Sequence, residues 1–341
     1  MRLATLEIKS PKTAAERLDG RLAVVGPEGR TALPVPHELA PSLLAAMDSW
    51  ETVEPRLREL DARLKGGDAR GVVDLARERV LAPLPRTWSF VDGSAYIHHI
   101  VLVRKARGAE PPADLKTVPL MYQGVSDNLL GPSDDIPLLE EGHGLDFEGE
   151  VAVILDRVPM GTRPEDAAGR IRLVTLLNDV SLRDLIPREL AAGFGFFQAK
   201  PASSLAPFAV TLDELGPAWR DGRLHGPLRV TYSGKPFGFA DAGAMHFSFP
   251  ELIAHAARTR ELSPGTLLGG GTVSNDDESV GSSCLAEVRM IETIKTGAAK
   301  TPFMKAGDTV AIEMILDGRS VFGRIDQRVV AATPAAGARR P

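Results

Sequence analysis

The sequence contains a single cysteine, Cys284, among 341 residues, so no internal disulfide can form. No apolar run approaches the ~18 residues that a membrane-spanning helix needs. The first residues, Met1–Glu7, also lack the long apolar stretch of a secretory signal. An excess of basic charge is missing too, because the formal net charge is −5 at pH 7. We therefore expect a cytoplasmic protein with neither nucleic acid nor membranes as partners.

The composition is that of an ordinary globular protein. Hydrophobic residues make up 43% of the chain and charged residues 25%, a balance that permits a sizeable core. At about 100–200 residues per domain, the length allows one large domain and a small one. Neither an internal repeat nor a low-complexity segment is evident.

The first 80 or so residues differ in pattern from the rest. Short strands are predicted at Arg2–Ile8, Arg21–Val25 and Thr31–Val35. Between residues 50 and 64, apolar residues recur at three- and four-residue steps, which predicts a helix with one apolar face. Pro55 should lie near the start of this helix, because deeper inside it would remove a hydrogen bond and clash. Prolines near residue 83 suggest a stiff boundary between two domains.

The remainder alternates short apolar runs with connections rich in glycine and proline. The two helix candidates both begin near a proline, which suits a first turn; they are Pro164–Ile171 and Pro250–Thr259. The pattern indicates a strand-dominated, mixed α+β domain. The predicted strands are Leu145–Leu155, Ile171–Leu177, Leu228–Tyr232, Val310–Leu316 and Ser320–Ile325.

Two glutamates share one face of the predicted strand at 145–155. Alternation places Glu148 and Glu150 on the face opposite Phe147, Val151 and Val153. A divalent cation, which prefers hard oxygen ligands, would compensate their charge. A solvated edge strand explains the same spacing, since an E-x-E pattern is a weak motif.

A third carboxylate, Asp179, follows the buried run that ends at Asn178. The end of a central strand positions a side chain rigidly, so Asp179 could enter the same site. The alternative is a capping role for the following segment.

Three further segments carry chemically competent side chains. A histidine in His98-His99 could act as a general base near neutral pH, or be structural. Lys200 follows a loop rich in glycine and aromatic residues and could bind a substrate oxygen, or lie on the surface. The run Gly269-Gly270-Gly271 indicates either close backbone approach to a ligand or a sharp turn. Cys284 has no identifiable base beside it, which favours a buried inert thiol over a nucleophile.

Together, these segments resemble the fumarylacetoacetate hydrolase family over about residues 88–329. The most specific parts are Phe147–Glu150, similar to the family's E-x-E strand, and Asn178–Asp184, similar to its ND-x-S-x-RD segment. The resemblance implies an α+β fold. It consists of a catalytic domain of mixed β-sheet and β-roll, of the fumarylacetoacetase C-terminal type (83–331), and a small N-terminal α+β domain (1–82).

The resemblance also implies roles for individual residues. The implied cofactor is a divalent cation, Mg²⁺ or Ca²⁺ with Mn²⁺ as a further option, and its ligands would be Asp92, Glu148, Glu150 and Asp179. The implied catalytic residues are His99, Glu287 and Lys200. The implied substrate-binding residues are Tyr96, Tyr122, Arg183 and Thr272.

The chain departs from the family pattern in a few places. Ile186 stands where we expect a substrate-binding glutamine, and the spacing from Thr272 to Glu287 requires a small insertion. Arg183 and Arg104 both remain candidates for a substrate arginine.

The function implied by the resemblance is hydrolysis of a carbon–carbon bond in ketonic substances. The substrate would be a small dioxo acid similar to fumarylacetoacetate or an acylpyruvate, in aromatic amino acid catabolism such as that of tyrosine, and the enzyme would be a homodimer. Two alternatives stay open. One is a decarboxylase or isomerase of an oxaloacetate-like acid on the same fold, and the other is a metal-stabilised binding protein without turnover.

Overall fold

The computed structural model describes residues 1–106, 110 and 113–333. Among these residues, no helix is both long enough and apolar enough to cross a bilayer. The α-helices are α1 (Ala14–Asp19), α2 (Leu43–Met47), α3 (Trp50–Lys65), α4 (Ile97–Ala106), α5 (Pro164–Ala167), α6 (Ile186–Ala192), α7 (Leu212–Leu215), α8 (Phe249–Ala256) and α9 (Leu285–Thr296).

Strands dominate the second half of the chain. They are β1 (Arg2–Leu6), β2 (Arg21–Val25), β3 (Thr31–Pro34), β4 (Val73–Asp74), β5 (Val80–Leu81), β6 (Phe90–Gly93), β7 (Met121–Gly124), β8 (Ile136–Leu138), β9 (Leu145–Asp146), β10 (Gly149–Leu155), β11 (Ile171–Asn178), β12 (Ser181–Leu182), β13 (Ser204–Leu205), β14 (Ala209–Val210), β15 (Trp219–Arg220), β16 (Arg223–Leu224), β17 (Pro227–Tyr232), β18 (Lys235–Asp241), β19 (Leu267–Gly269), β20 (Thr309–Leu316) and β21 (Arg319–Ala331).

The largest sheet runs through both halves of the chain. Its main path is β4-β3-β2-β1-β14-β11-β10-β19-β6-β7. The N-terminal strands join it where Arg2 of β1 pairs with Val210 of β14. The N-terminal segment thus continues the central sheet, and the division near residue 82 stays a prediction.

A second sheet, in the order β18-β17-β20-β21-β8, covers one face of the first. Strand β10 lies between two cores, which explains why residues 151–155 are apolar on both faces. Val151 and Val153 pack into the core shared with the second sheet. Ala152 and Ile154 pack into the core beneath α2 and α3. Because β10 is buried on both faces, a charge on it requires compensation.

The strand-dominated α+β fold predicted from the sequence is confirmed, and both sheets are mixed because β19 runs parallel to β6 and β21 parallel to β8. Two local predictions are wrong. The predicted strand at 145–155 is interrupted at Phe147 and Glu148, where β9 ends before β10 begins. Pro55 lies inside α3 rather than at its start.

Helices α4, α6 and α9 were not predicted from the sequence. The start of α9 depends on a tertiary contact, since the Asp146 carboxylate accepts hydrogen bonds from the backbone N–H groups of Leu285 (2.8 Å) and Ala286 (3.0 Å). A carboxylate stabilises these unpaired N–H groups at a helix N-terminus. A cap supplied 139 residues away leaves no local signal in the sequence.

Candidate functional site

Five strands of the central sheet bring their polar ends to one edge. Strand β11 ends where β10 begins, with Gly149 opposite Asn178. Strands β19 and β6 are parallel and end together, with Gly269 beside Asp92. Antiparallel β7 then places Tyr122 opposite Asp92. Side chains that are far apart in sequence therefore meet at this edge.

Three carboxylates converge there. Asp92, Glu150 and Asp179 each offer an oxygen within 4.8 Å of the others, and all three side chains are buried. Burial, and then the charge of Asp179, raise the pKa of Asp92 well above its ordinary value. Burial, and then Asp92, raise the pKa of Glu150 in the same way. Like charges in a low-dielectric site repel, so the cluster requires positive charge or protons.

The unpaired oxygens of this cluster fit a divalent cation. Asp92 Oδ1 and Glu150 Oε1 are buried and have no hydrogen-bond partner among the described residues. The other oxygen of Glu150 accepts a hydrogen bond from the Gly271 N–H at 3.1 Å. Carboxylate oxygens are the ligands that Mg²⁺ and Ca²⁺ prefer. These residues could therefore hold such an ion.

Glu148 lies beside this cluster but has other partners. Its Oε1 accepts hydrogen bonds from Ser181 Oγ (2.7 Å) and Lys200 Nζ (3.0 Å), and its Oε2 from Thr272 Oγ1 (2.6 Å). Burial alone would raise the pKa of Glu148, but the charges of Arg183 and Lys200 outweigh it and hold this pKa well below its usual value. Both carboxylate oxygens of Glu148 thus accept hydrogen bonds from the protein.

Lys200 is buried between the carboxylates. Besides Glu148, its ammonium donates to Asp179 Oδ2 and to Ser181 Oγ, the latter at 2.7 Å. Burial would lower the pKa of Lys200, yet Asp179 and Glu148 raise it above its ordinary value. All three ammonium hydrogens have acceptors. A role towards a substrate oxygen stays a prediction and requires one of these bonds to be exchanged.

Asp179 is oriented by two hydroxyl groups. Tyr122 Oη donates to its Oδ2 at 2.7 Å, and Ser203 Oγ donates to its Oδ1 at 2.7 Å. Ser203 was not identified from the sequence, and Ser181 was noted only as part of the ND-x-S-x-RD segment, without a role. Serines are common, and only the fold shows which ones face a carboxylate.

His99 forms a pair with Glu287. His99 lies on α4 and Glu287 in the first turn of α9, and Nδ1 is 3.0 Å from Oε1. The neighbouring His98 points elsewhere, with Nδ1 2.7 Å from the exposed Asp276. The helix places the two imidazoles in different directions, as expected for adjacent residues on a helix.

Arg183 is bound by acidic residues. Its Nε donates to Asp146 Oδ2 at 2.9 Å. Its Nη2 lies 2.8 Å from Glu148 Oε1, an ion pair without hydrogen-bond geometry. The guanidinium therefore neutralises two protein carboxylates.

One cavity of about 700 Å³ connects most of the predicted site residues. From the predicted set, its walls include Asp92, His99, Tyr122, Glu148, Arg183, Lys200 and Thr272. Tyr96 does not line this cavity. It is buried in the core, and its hydroxyl donates to the Ala242 carbonyl at 2.6 Å. Tyr96 is therefore not placed to contact a substrate there.

Two protein-family models match this chain. Residues 89–330 match the family model described as Fumarylacetoacetate (FAA) hydrolase C-terminal, and residues 1–86 match Fumarylacetoacetase N-terminal domain 2. The chain is 24% identical to the fumarylacetoacetase of Caenorhabditis elegans over 293 residues, which cover 71% of this chain and 70% of that protein.

Other relatives carry different names. The chain is 28% identical to the oxaloacetate tautomerase YisK of Bacillus subtilis over 203 residues, which are 59% of this chain and 64% of that protein. The crystal structure of maleylpyruvate hydrolase from Sphingobium sp. SYK-6 superposes with a TM-score of 0.66 over 97% of this chain and 100% of that one, at 17% identity. That likeness concerns the fold alone. The two family models together span nearly the whole sequence, and the chain belongs to the fumarylacetoacetate hydrolase family.

Proposed function

We propose that this protein is a divalent-metal-dependent enzyme that hydrolyses a carbon–carbon bond next to a carbonyl in a small dioxo acid. The observation that carries the proposal is that Asp92 and His99 line the same cavity. Asp92 belongs to the buried cluster with Glu150 and Asp179, which has unpaired oxygens, and His99 is paired with Glu287.

Asp92, Glu150 and Asp179 would hold the cation, and Glu148 lies beside them. When bound, Mg²⁺ or Ca²⁺ (or Mn²⁺) supplies Lewis-acid polarisation of a substrate carbonyl. Lys200 balances the charge of Glu148 and Asp179, so the site does not depend on the cation alone for positive charge.

His99 is the proposed general base. An Nδ1–H that donates to Glu287 leaves the lone pair on Nε2, and this is the tautomer that can accept a proton from water. The resulting hydroxide bonds to the attacked carbonyl carbon. The carbon–carbon bond then breaks, its electron pair moves onto the neighbouring carbonyl as an enolate, and the proton held by His99 returns to that product. A general base of this kind contributes roughly 10²–10⁴-fold in rate.

The remaining cavity residues would position the substrate. Thr272, Tyr122 and Arg183 line the cavity and already contact Glu148 or Asp179. A substrate oxyanion near Lys200 would take over one of its hydrogen bonds, an interaction worth about 3 kcal/mol per donor in other enzymes.

A second function has one observation in its favour. Because the three donors of Lys200 are all engaged, no preformed oxyanion donor is evident at that residue. An enolisation reaction, such as the tautomerisation named for the Bacillus subtilis relative, needs proton transfer by His99 but no attack by water. The same residues would serve either reaction.

A substrate panel with product analysis separates these reactions. Metal-free protein is assayed on fumarylpyruvate, acylpyruvates and oxaloacetate, before and after addition of Mg²⁺, by loss of enol absorbance and identification of products. We expect Mg²⁺-dependent cleavage by the wild type and by the surface control Glu165→Gln, and none by Asp92→Asn. Interconversion of enol and keto forms without cleavage would favour the tautomerase, and full activity after exhaustive chelation would contradict both.

The homodimer and the cytoplasmic location implied by the family resemblance stay predictions. Light scattering on the purified protein tests the first, and cell fractionation tests the second.

A further inference from the structure

A second group of metal-ligating side chains lies beside the carboxylate cluster. Cys284, His99 and Glu287 each offer one ligand atom within 4.8 Å of the other two. Cys284 immediately precedes α9, Glu287 lies in its first turn, and His99 is on α4, which packs against α9. From the sequence, Cys284 was interpreted as a buried inert thiol, and His99 and Glu287 were predicted only as catalytic residues.

The three ligand types differ from those of the carboxylate cluster. A thiolate, an imidazole and one carboxylate are a characteristic ligand set of Zn²⁺, which accepts sulfur, nitrogen and oxygen together. Tetrahedral bonds of the usual lengths place the ligand atoms about 3.5 Å apart. Nδ1 of His99 and Oε1 of Glu287 are already 3.0 Å apart, so small side-chain shifts would suffice. A hard cation such as Mg²⁺ has little affinity for a thiolate.

We propose that Cys284, His99 and Glu287 form a thiophilic metal site that binds Zn²⁺ or Cd²⁺ and thereby blocks the enzyme. The inhibition rests on the proposed function, because it requires His99 to be the base. The binding itself does not. An ion would enter past His99, which lines the cavity, because Cys284 and Glu287 are buried.

Binding would disable His99 whichever ring nitrogen coordinates the ion. A metal on Nε2 occupies the lone pair that would accept the proton from water. A metal on Nδ1 displaces the hydrogen bond to Glu287 and leaves the proton of the neutral ring on Nε2. In both cases the imidazole can no longer act as a base.

Metal binding releases one proton, that of the Cys284 thiol. Burial, and then the charges of Asp146 and Glu287, raise the pKa of the Cys284 thiol well above its ordinary value. The free thiol is therefore protonated, and forming the metal–sulfur bond releases its proton to solvent. No oxidant or reductant is involved.

Cadmium provides a direct probe, because a cadmium–thiolate bond has a charge-transfer absorption in the ultraviolet that carboxylate ligands do not give. The protein is first saturated with Mg²⁺, titrated with CdCl₂ without substrate, and followed by absorbance. Cys284 is the single cysteine of the chain, so the signal has one source. We expect a saturable band with one equivalent of Cd²⁺ in the wild type and none in Cys284→Ser.

Inhibition is measured separately with ZnCl₂ at saturating Mg²⁺, as the concentration that halves each variant's own activity. Loss of one direct ligand should raise this concentration at least about 100-fold in Cys284→Ser, since even outer partners of a metal ligand change affinity by about 10–100-fold. Absence of the band in the wild type would overturn the site, a result independent of the enzyme's reaction. A saturable band without inhibition would overturn the blocking role of the site. It would leave the binding intact and count against His99 as the base.

Discussion

Gly269 and Asp92 lie side by side on parallel strands, and a Cβ atom on Gly269 would be 2.2 Å from Asp92 Oδ1. The same atom would be 3.0 Å from Glu150 Oε2. Neither carboxylate can retreat easily, since both are buried. The missing side chain of Gly269 therefore leaves the space in which the two carboxylates converge.

Substituting this glycine should damage the metal site specifically. Overpacking of this kind costs about 1–3 kcal/mol, so Gly269→Ala should weaken Mg²⁺ binding by about 5- to 150-fold in isothermal titration calorimetry. The matched control is Gly169→Ala, because a Cβ atom there has no neighbour within 4 Å. Equal Mg²⁺ affinity in both variants would show that Asp92 and Glu150 do not hold the ion.

Asp92→Asn should abolish the stabilisation of the fold by Mg²⁺. A ligand at 100 times its dissociation constant stabilises the fold by about 2.7 kcal/mol. Mg²⁺ should therefore raise the melting temperature of the wild type, and chelation should lower it. The variant should lose this response to Mg²⁺.

The melting temperatures of the wild type and Asp92→Asn can also be compared as a function of pH in the absence of metal. The pKa of Asp92 is raised in the folded state, so this group's contribution to stability is fully present below the unfolded pKa of about 3.9. It is lost as the pH rises through the folded pKa. The melting temperature of Asp92→Asn should therefore exceed that of the wild type by an amount that grows with pH. A difference that shrinks with pH would mean that Asp92 is stabilised as a carboxylate by the protein itself.

Lys200 should be structural as well as functional. Removing one partner of a buried ion pair costs about 3–5 kcal/mol, and Lys200→Met would leave Glu148 and Asp179 without its charge. We expect a loss of this size in urea unfolding. Lys295→Met is the control, since Lys295 pairs with Glu278 on the surface and such pairs are worth about 0–1 kcal/mol. Similar stability of the two variants would indicate that Lys200 is free to serve a substrate.

His99→Ala should lower kcat by roughly 10²–10⁴-fold with little change in KM. The adjacent His98→Ala should stay near the wild-type value, because His98 pairs with exposed Asp276 instead of Glu287. Steady-state kinetics on the same substrate compares them. A change confined to KM for His99→Ala would remove this residue from the role of base.

Much of the fold could be predicted because strand periodicity is local. The alternation at 151–154 correctly separated Val151 and Val153 from Ala152 and Ile154, since successive strand residues face opposite sides. Helix α9 could not be found in this way, because its cap is Asp146, far away in sequence. The break at Glu148 was missed for a similar reason. Its backbone N–H bonds the side chain of Asn178, a contact that no pattern within 145–155 reveals.

The sequence by itself determined the residue types of the site. Through the family resemblance, it also indicated which carboxylates, histidine and lysine belong to that site. Only the tertiary structure decided which of these side chains meet. It turned Tyr96 into the core, brought His99 to Glu287, and surrounded Lys200 with acceptors. The reason is physical: sequence spacing constrains which face of its own element a side chain occupies, whereas the distance between two elements depends on sheet order and packing.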